Sequence, residues 1–185
     1  MRKNCLAIFF LFVMASLGAQ GVDWQWAVAC GGQYADKING IAQDPEGNYC
    51  VTGYFFDMAT FGDIVLAPDV WTQHMFVAKY DPDGQTLWAV CAESTGDCEG
   101  WSLVCDDDGF TYVTGKFSGS ISMDGVELTA TGASDVFVAC LDSEGAWQWA
   151  IKSSGSGSSV TTPRRIILGP NDDLYLCGYF SGNVS

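Results

Sequence analysis

The stretch NYCVTGYF at Asn48–Phe55 returns as FTYVTGKF at Phe110–Phe117 and as DLYLCGYF at Asp173–Phe180. Two other landmarks keep the same spacing. Trp26-Ala27-Val28 recurs as Trp88-Ala89-Val90 and Trp149-Ala150-Ile151, and Phe76-Val77-Ala78 recurs as Phe137-Val138-Ala139. A period of about 62 residues, held by independent landmarks, is the signature of a repeat architecture. The quoted stretch is rich in aromatic and β-branched residues and reads as a strand. Its side chains alternate between faces: Tyr49, Val51, Gly53 and Phe55 on one, Cys50, Thr52 and Tyr54 on the other. Bulk on both faces predicts a sheet covered on both sides. A glycine at its centre admits close approach by another backbone.

Each period reads as four main antiparallel strands. In the first copy these are Ile41–Gln43, Tyr49–Phe55, Met75–Tyr80 and Thr86–Cys91, with a smaller hairpin at Phe61–Leu66. No helical period occurs after the leader. The joints share one chemistry: Asp44-Pro45-Glu46-Gly47, Asp81-Pro82-Asp83-Gly84, Asp106-Asp107-Asp108-Gly109 and Asp142-Ser143-Glu144-Gly145. Asp bonds the backbone ahead of it and Gly accepts positive φ, so these are hairpin turns. None has the alternating acids and distant Glu of a calcium loop. The fold class is therefore all-β, with β-propeller-type repeats stacked as small sheets in an incomplete ring. A β-sandwich is the alternative, but it predicts no fixed period.

The N-terminus has a different composition. Arg2 and Lys3 precede an apolar run from Leu6 to Leu17, and small residues follow at Ala15, Ser16, Gly18 and Ala19. This is the layout of a secretory signal peptide over residues 1–20, too short to be a membrane span. The repeats occupy 21–185, and the expected location is secreted or cell envelope. The chain carries 22 acidic residues against 8 basic ones, a net charge of −14. Such a surface repels phosphate backbones and disfavours nucleic acid as a partner. Seven of the eight cysteines lie beyond the leader, an odd number that leaves at least one without an intrachain disulfide. Their spacing is not that of a zinc site, and His74 is the sole histidine. We expect no metal and no cofactor.

The run Ile41-Ala42-Gln43-Asp44-Pro45-Glu46-Gly47-Asn48-Tyr49-Cys50-Val51-Thr52-Gly53-Tyr54-Phe55, followed by Phe76–Tyr80 and Trp88-Ala89, resembles the bacterial SBBP-type β-propeller repeat. The resemblance covers about two and a half copies and implies a propeller in a secreted bacterial protein. The Gly-Asn-x-x-Val-Thr-Gly core weakens in later copies, where Phe110 stands for Asn48, Asp172 for Gly47 and Cys177 for Thr52. It implies no common activity, so no functional residue carries over from it.

The chain opens with Trp24-Gln25-Trp26-Ala27-Val28, which matches the last strand of a repeat. The third copy stops before its equivalents of Phe137–Ile151. It therefore reads as a fragment of a longer protein, with the remaining blades of the parent among its partners. The alternating pairs Trp24/Trp26 and Trp147/Trp149 are assigned to packing between blades. His74 is expected as a surface or loop residue rather than a catalyst. No nucleophile elbow, phosphate loop or dinucleotide fingerprint occurs. The copies differ most in the connections Gly31–Asn39, Ala92–Trp101 and Lys152–Arg164. Scaffolds carry binding sites in such divergent loops. The candidate ligand-binding residues are Tyr34, Asp36, Lys37, Asn39, Asp97, Glu99, Trp101, Arg164 and Arg165, with no catalytic set. The function expected is a secreted, non-catalytic scaffold that binds a protein, peptide or glycan. The alternatives are a fragment of a propeller glycan hydrolase or lyase, and a structural spacer.

Overall fold

The computed structural model describes residues 25–157 and 159–183. Residues 1–24, 158, 184 and 185 lie outside the described residues, and with them the expected signal peptide and Trp24. Fifteen strands follow in order: β1 Lys37–Gln43, β2 Tyr49–Phe56, β3 Ala59–Phe61, β4 Ile64–Leu66, β5 Gln73–Tyr80, β6 Thr86–Cys91, β7 Glu93–Ser94, β8 Cys98–Cys105, β9 Thr111–Phe117, β10 Ser120–Met123, β11 Val126–Thr129, β12 Asp135–Leu141, β13 Trp147–Lys152, β14 Val160–Leu168 and β15 Leu174–Ser181. One 3₁₀ turn, Pro170–Asp172, separates the last two.

Two four-stranded antiparallel sheets repeat one plan. The first runs β1-β2-β5-β6 and the second β8-β9-β12-β13, and β14-β15 repeats the first two strands of that plan. Two small sheets sit beside them, the hairpin β3-β4 and the three-stranded β11-β10-β7. The protein is all-β and propeller-type, and the described sheets do not close into a ring.

Both faces of the quoted strand are covered, as its alternation requires. On one face Val51, Phe55, Phe76, Ala78 and Tyr80 pack with Ala59 and Phe61 of the small hairpin. On the other, Cys50, Met75 and Val77 of the first sheet meet Leu103, Val113, Phe117, Phe137 and Leu141 of the second. Phe55, Phe117 and Phe137 are fully buried. Each such ring contributes about 1.5–3 kcal/mol through removal from water. The seam between the sheets is thus the main core of the molecule.

Register explains the central glycine. Gly53 lies opposite Phe76, and Gly115 opposite Phe137. A Cβ on Gly115 would collide with the Phe137 ring and the Glu99 carbonyl. A Cβ on Gly53 would strike the Lys37 carbonyl and approach the Ile38 Cα to 3.0 Å. The glycine therefore admits the innermost strand of its own sheet, and in the second copy also the phenylalanine beside it. Thr52 and Thr114, one residue earlier, donate across the ladder to the carbonyls of Phe76 and Phe137 at 2.7 and 2.8 Å.

The tryptophans lock sheets together at the outer rim. The Trp88 indole N–H donates to the Ser143 carbonyl at 2.9 Å, and its ring lies over Gly145, which has φ of 85°. Trp26 does the same to the preceding turn, donating to the Pro82 carbonyl at 2.8 Å and covering Gly84, φ 82°. Any side chain on either glycine would enter the indole. Residues 25–30 are not a strand, so Trp26 makes this contact from a segment that belongs to no sheet.

All four Asp-x-acid-Gly turns close in one way. Each aspartate Oδ1 accepts two backbone N–H groups, two and four residues on: Asp44 from Glu46 and Asn48, Asp81 from Asp83 and Gln85, Asp106 from Asp108 and Phe110, Asp142 from Glu144 and Ala146. The distances lie between 2.8 and 3.1 Å.

One expectation is corrected. His74 is not in a surface loop; it is fully buried in β5, with Nδ1 3.1 Å from the Ser94 hydroxyl and Nε2 2.7 Å from the Val70 carbonyl. Its equivalent Asp135 is also buried and is paired with Lys152 at 3.0 Å. The position holds a polar anchor for the adjoining loop, a role that a strand pattern conceals. The seven thiols from Cys30 to Cys177 are free, which agrees with the expectation of at least one cysteine outside any intrachain disulfide.

A candidate inner-rim binding groove

The innermost strands β1, β8 and β14 lie side by side, and each carries a β-bulge at the same place. The ladder shifts register between Ile38 and Gly40, between Gly100 and Ser102, and between Pro163 and Arg165. The bulged residues are Asn39, Trp101 and Arg164, the equivalent positions at which the copies differ. This corrects their expected placement in connecting loops: all three are inside strands. A bulge adds an unpaired residue and re-aims its side chain, and such features gather beside functional sites.

The bulged side chains meet across neighbouring sheets. The Asn39 amide donates to the Gly100 carbonyl at 2.8 Å and to Glu99 Oε1 at 3.3 Å. The Arg164 guanidinium lies over the Trp101 ring at 5.1 Å and over the Tyr179 ring at 5.2 Å. Stacking of this kind holds the guanidinium plane while leaving its edge N–H groups free to donate.

Asn39, Trp101, Arg164 and Arg165 line one groove of about 510 Å³, together with Ile41, Ser102 and Ile167. Its lining contains two guanidiniums and no carboxylate, in a chain with 22 acids. Neither arginine forms an ion pair among the described residues. The Trp101 indole N–H is buried without an acceptor. Ile41 is 65% exposed and Ile167 47%, so the wall is apolar between the donors. The arrangement can hold an apolar chain that carries acceptor groups.

The other candidates fall elsewhere. Asp36 and Lys37 line a cavity with Cys30 and Phe55, where Asp36 Oδ2 accepts from the Gly32 amide at 2.6 Å. Tyr34 packs edge-on against Trp71, centroids 4.6 Å apart. Asp97 and Glu99 line a third cavity with Lys116 and Ser134. The nine residues therefore do not form one face. Sequence reasoning missed Tyr179, because it sits in the strand read as framework.

One buried ion pair lies at the turn end of the first sheet. Lys79 Nζ is 2.7 Å from Asp44 Oδ2, and both side chains are almost wholly buried. Burial pushes the Asp44 carboxyl up. Bonds from the Lys79 ammonium and from the Asn48 side chain and backbone outweigh it and hold the group below its usual range. In the second sheet Cys140 stands for Lys79, and Asp106 instead accepts from the Tyr112 hydroxyl at 2.9 Å. Cys50 and Cys105 flank Thr111, their sulfurs 3.5 and 3.7 Å from its hydroxyl. Among the described residues no group of three or more His, Cys, Asp or Glu side chains gathers as a metal site.

No family model matches the chain. The chain is similar to an uncharacterised WD repeat-containing protein of Acanthamoeba polyphaga mimivirus, 24% identical over 185 aligned positions. The match takes in 87% of this chain but only 13% of that protein. The likeness is to a repeat-containing protein, in keeping with the repeated sheets.

Proposed function

We propose that the chain is part of a non-catalytic propeller-type interaction scaffold, and that the inner-rim groove receives a polypeptide carrying carboxylates. One observation carries the reading: three in-register bulges present unlike side chains, Asn39, Trp101 and Arg164, on an otherwise repeated backbone. Identical backbone with divergent side chains separates framework from recognition. Two unpaired guanidiniums call for acceptors, and a carboxylate satisfies a guanidinium through paired N–H bonds. The acidic remainder of the surface would repel such a ligand everywhere else, which favours this groove.

The apolar run at Leu6–Leu17 and the acidic surface support export, and the Gly47–Gly53 core supports kinship with SBBP-type repeats. The remaining partners in this reading are further blades of the same kind. The test is a screen of acidic and neutral peptides by fluorescence anisotropy, repeated with Arg164→Ala and Arg165→Ala. Binding confined to acidic peptides, and weakened at least about tenfold by either change, is the expected result. Equal binding of neutral peptides, or indifference to both changes, would remove the groove from the account.

A further inference from the structure

Cys50 and Cys105 come from different sheets and meet at the seam between them. Cys50 lies on β2, opposite Lys79 of β5, and Cys105 ends β8, opposite Thr111 of β9. The Thr111 hydroxyl serves both sulfurs, 3.5 Å from Cys50 Sγ and 3.7 Å from Cys105 Sγ. The two thiols also bond directly to each other. Cys50 and Thr111 are fully buried, whereas Cys105 is partly exposed. No other two sulfurs share a hydrogen-bonding side chain among the described residues. The pair is not part of the repeated frame. Tyr112 and Tyr175 stand where Cys50 does, and Gln43 stands where Cys105 does. The repeat therefore requires a sulfur at neither place, yet this one seam brings two together.

We infer that Cys50 and Cys105 are a redox modification site, which a low-molecular-weight disulfide closes to a covalent crosslink between the first and second sheets. The partly exposed Cys105 thiolate attacks the reagent R–S–S–R, forming a mixed disulfide and releasing one R–S⁻. The Cys50 thiolate then attacks Cys105 Sγ. The Cys50–Cys105 bond forms, the mixed disulfide breaks, and the second R–S⁻ leaves. The two cysteine protons end on the two released thiolates, so two cysteines are oxidised and one reagent disulfide is reduced. The surroundings suit Cys50 to the second attack. Its thiol is held below its ordinary value, first by the bond from Cys105, then by the Thr111 hydroxyl and the Lys79 ammonium, against the cost of burial. The last two remain when Cys105 is in the mixed disulfide. The Cys105 thiol is pushed up, first by Cys50 and then by burial, so the first attack is the slower one. The crosslink ties β2 to β8. Strand β8 carries Trp101, and β2 pairs with β1, which carries Asn39. Closure thus fixes the two sheets that meet in the groove, and it does not depend on the groove's ligand. In a reducing compartment the pair stays open, and in an oxidising one it closes.

The test uses the full chain carrying Cys177→Ser, so that this exposed thiol cannot join two molecules. The folded chain is equilibrated in mixtures of oxidised and reduced glutathione. Free thiols are then alkylated and proteolytic fragments are mapped by mass spectrometry. The inference expects one main crosslinked fragment, joining Cys50 to Cys105 and released by dithiothreitol. Closure that is easier in the folded chain than in the unfolded one raises the urea midpoint by linkage, so the oxidised chain should melt at higher urea than the reduced one. The mapping reads the native pair, so the result does not hang on a cysteine variant that fails to fold. A chain whose Cys105 carries glutathione and never joins Cys50 overturns the inference. So does a crosslink that forms only in urea, or one spread over other cysteine pairs. An oxidised chain less stable than the reduced one overturns it as well. So does an unmodified Cys50 and Cys105 at a poise that fully modifies Cys177 in the unaltered chain.

Discussion

The outer and inner rims of the same sheets obey different rules. At the outer rim the copies agree: Trp26 and Trp88 each donate to the second residue of an Asp-x-acid-Gly turn and cover its glycine. At the inner rim the backbone agrees, down to the bulge, while the side chains do not. A contact written identically twice is framework. A position whose backbone is held and whose chemistry is free is where recognition can vary at little cost to stability.

The contrast breaks most visibly at the seam. Phe137→Ala removes a fully buried ring and leaves a cavity, an expected loss of about 3–5 kcal/mol. Gly115→Val drives two methyl groups into the Glu99 carbonyl and the Phe137 ring, and about 3 kcal/mol is expected. Urea titration reads both as a lowered midpoint with unchanged slope. Comparable stability of either variant and the native chain would mean that the seam is not the core.

Lys79→Met is next, at about 3 kcal/mol near neutral pH, because it leaves the buried Asp44 carboxylate without its cation. The pH dependence has a definite sign. The folded-state pKa of Asp44 is depressed, so its contribution is complete above the ordinary carboxylate value, about 4. It is lost as pH falls through the folded value. Stability measured from pH 6 downward should fall less steeply in Asp44→Asn than in the native chain. Parallel curves would remove the pair from the account.

Trp88→Phe keeps a ring over Gly145 but deletes the indole N–H, and about 1 kcal/mol is expected. Arg164→Ala lies at the other extreme: a stability change within about 0.5 kcal/mol, with the effect appearing in peptide binding instead. A large stability loss there would make the inner rim framework as well.

Much of this was legible in the chain. The spacing of Gly53, Gly115 and Gly178 fixed the repeat, and the Asp-x-acid-Gly turns fixed the strand connections, because turn chemistry is local. The bulges were not legible. Whether Asn39 sits in a loop or in a strand depends on a ladder with residues up to Tyr54 and on the Gly100 carbonyl, about sixty residues away. His74 misled for a related reason, and the burial of Lys79 was equally hidden. A polar residue in a strand looks solvent-facing until its partners, Ser94 and Asp44, are brought to it by the fold.

The most direct test of the central claim, that stacked sheets are locked by a repeated tryptophan-on-turn contact, is nuclear Overhauser spectroscopy of the two indoles. The account predicts cross-peaks from the Trp88 ring to the α-protons of Gly145, and from the Trp26 ring to those of Gly84. Cross-peaks from Trp88 to the face of an opposing sheet, with none to Gly145, would instead describe a two-layer sandwich and contradict it.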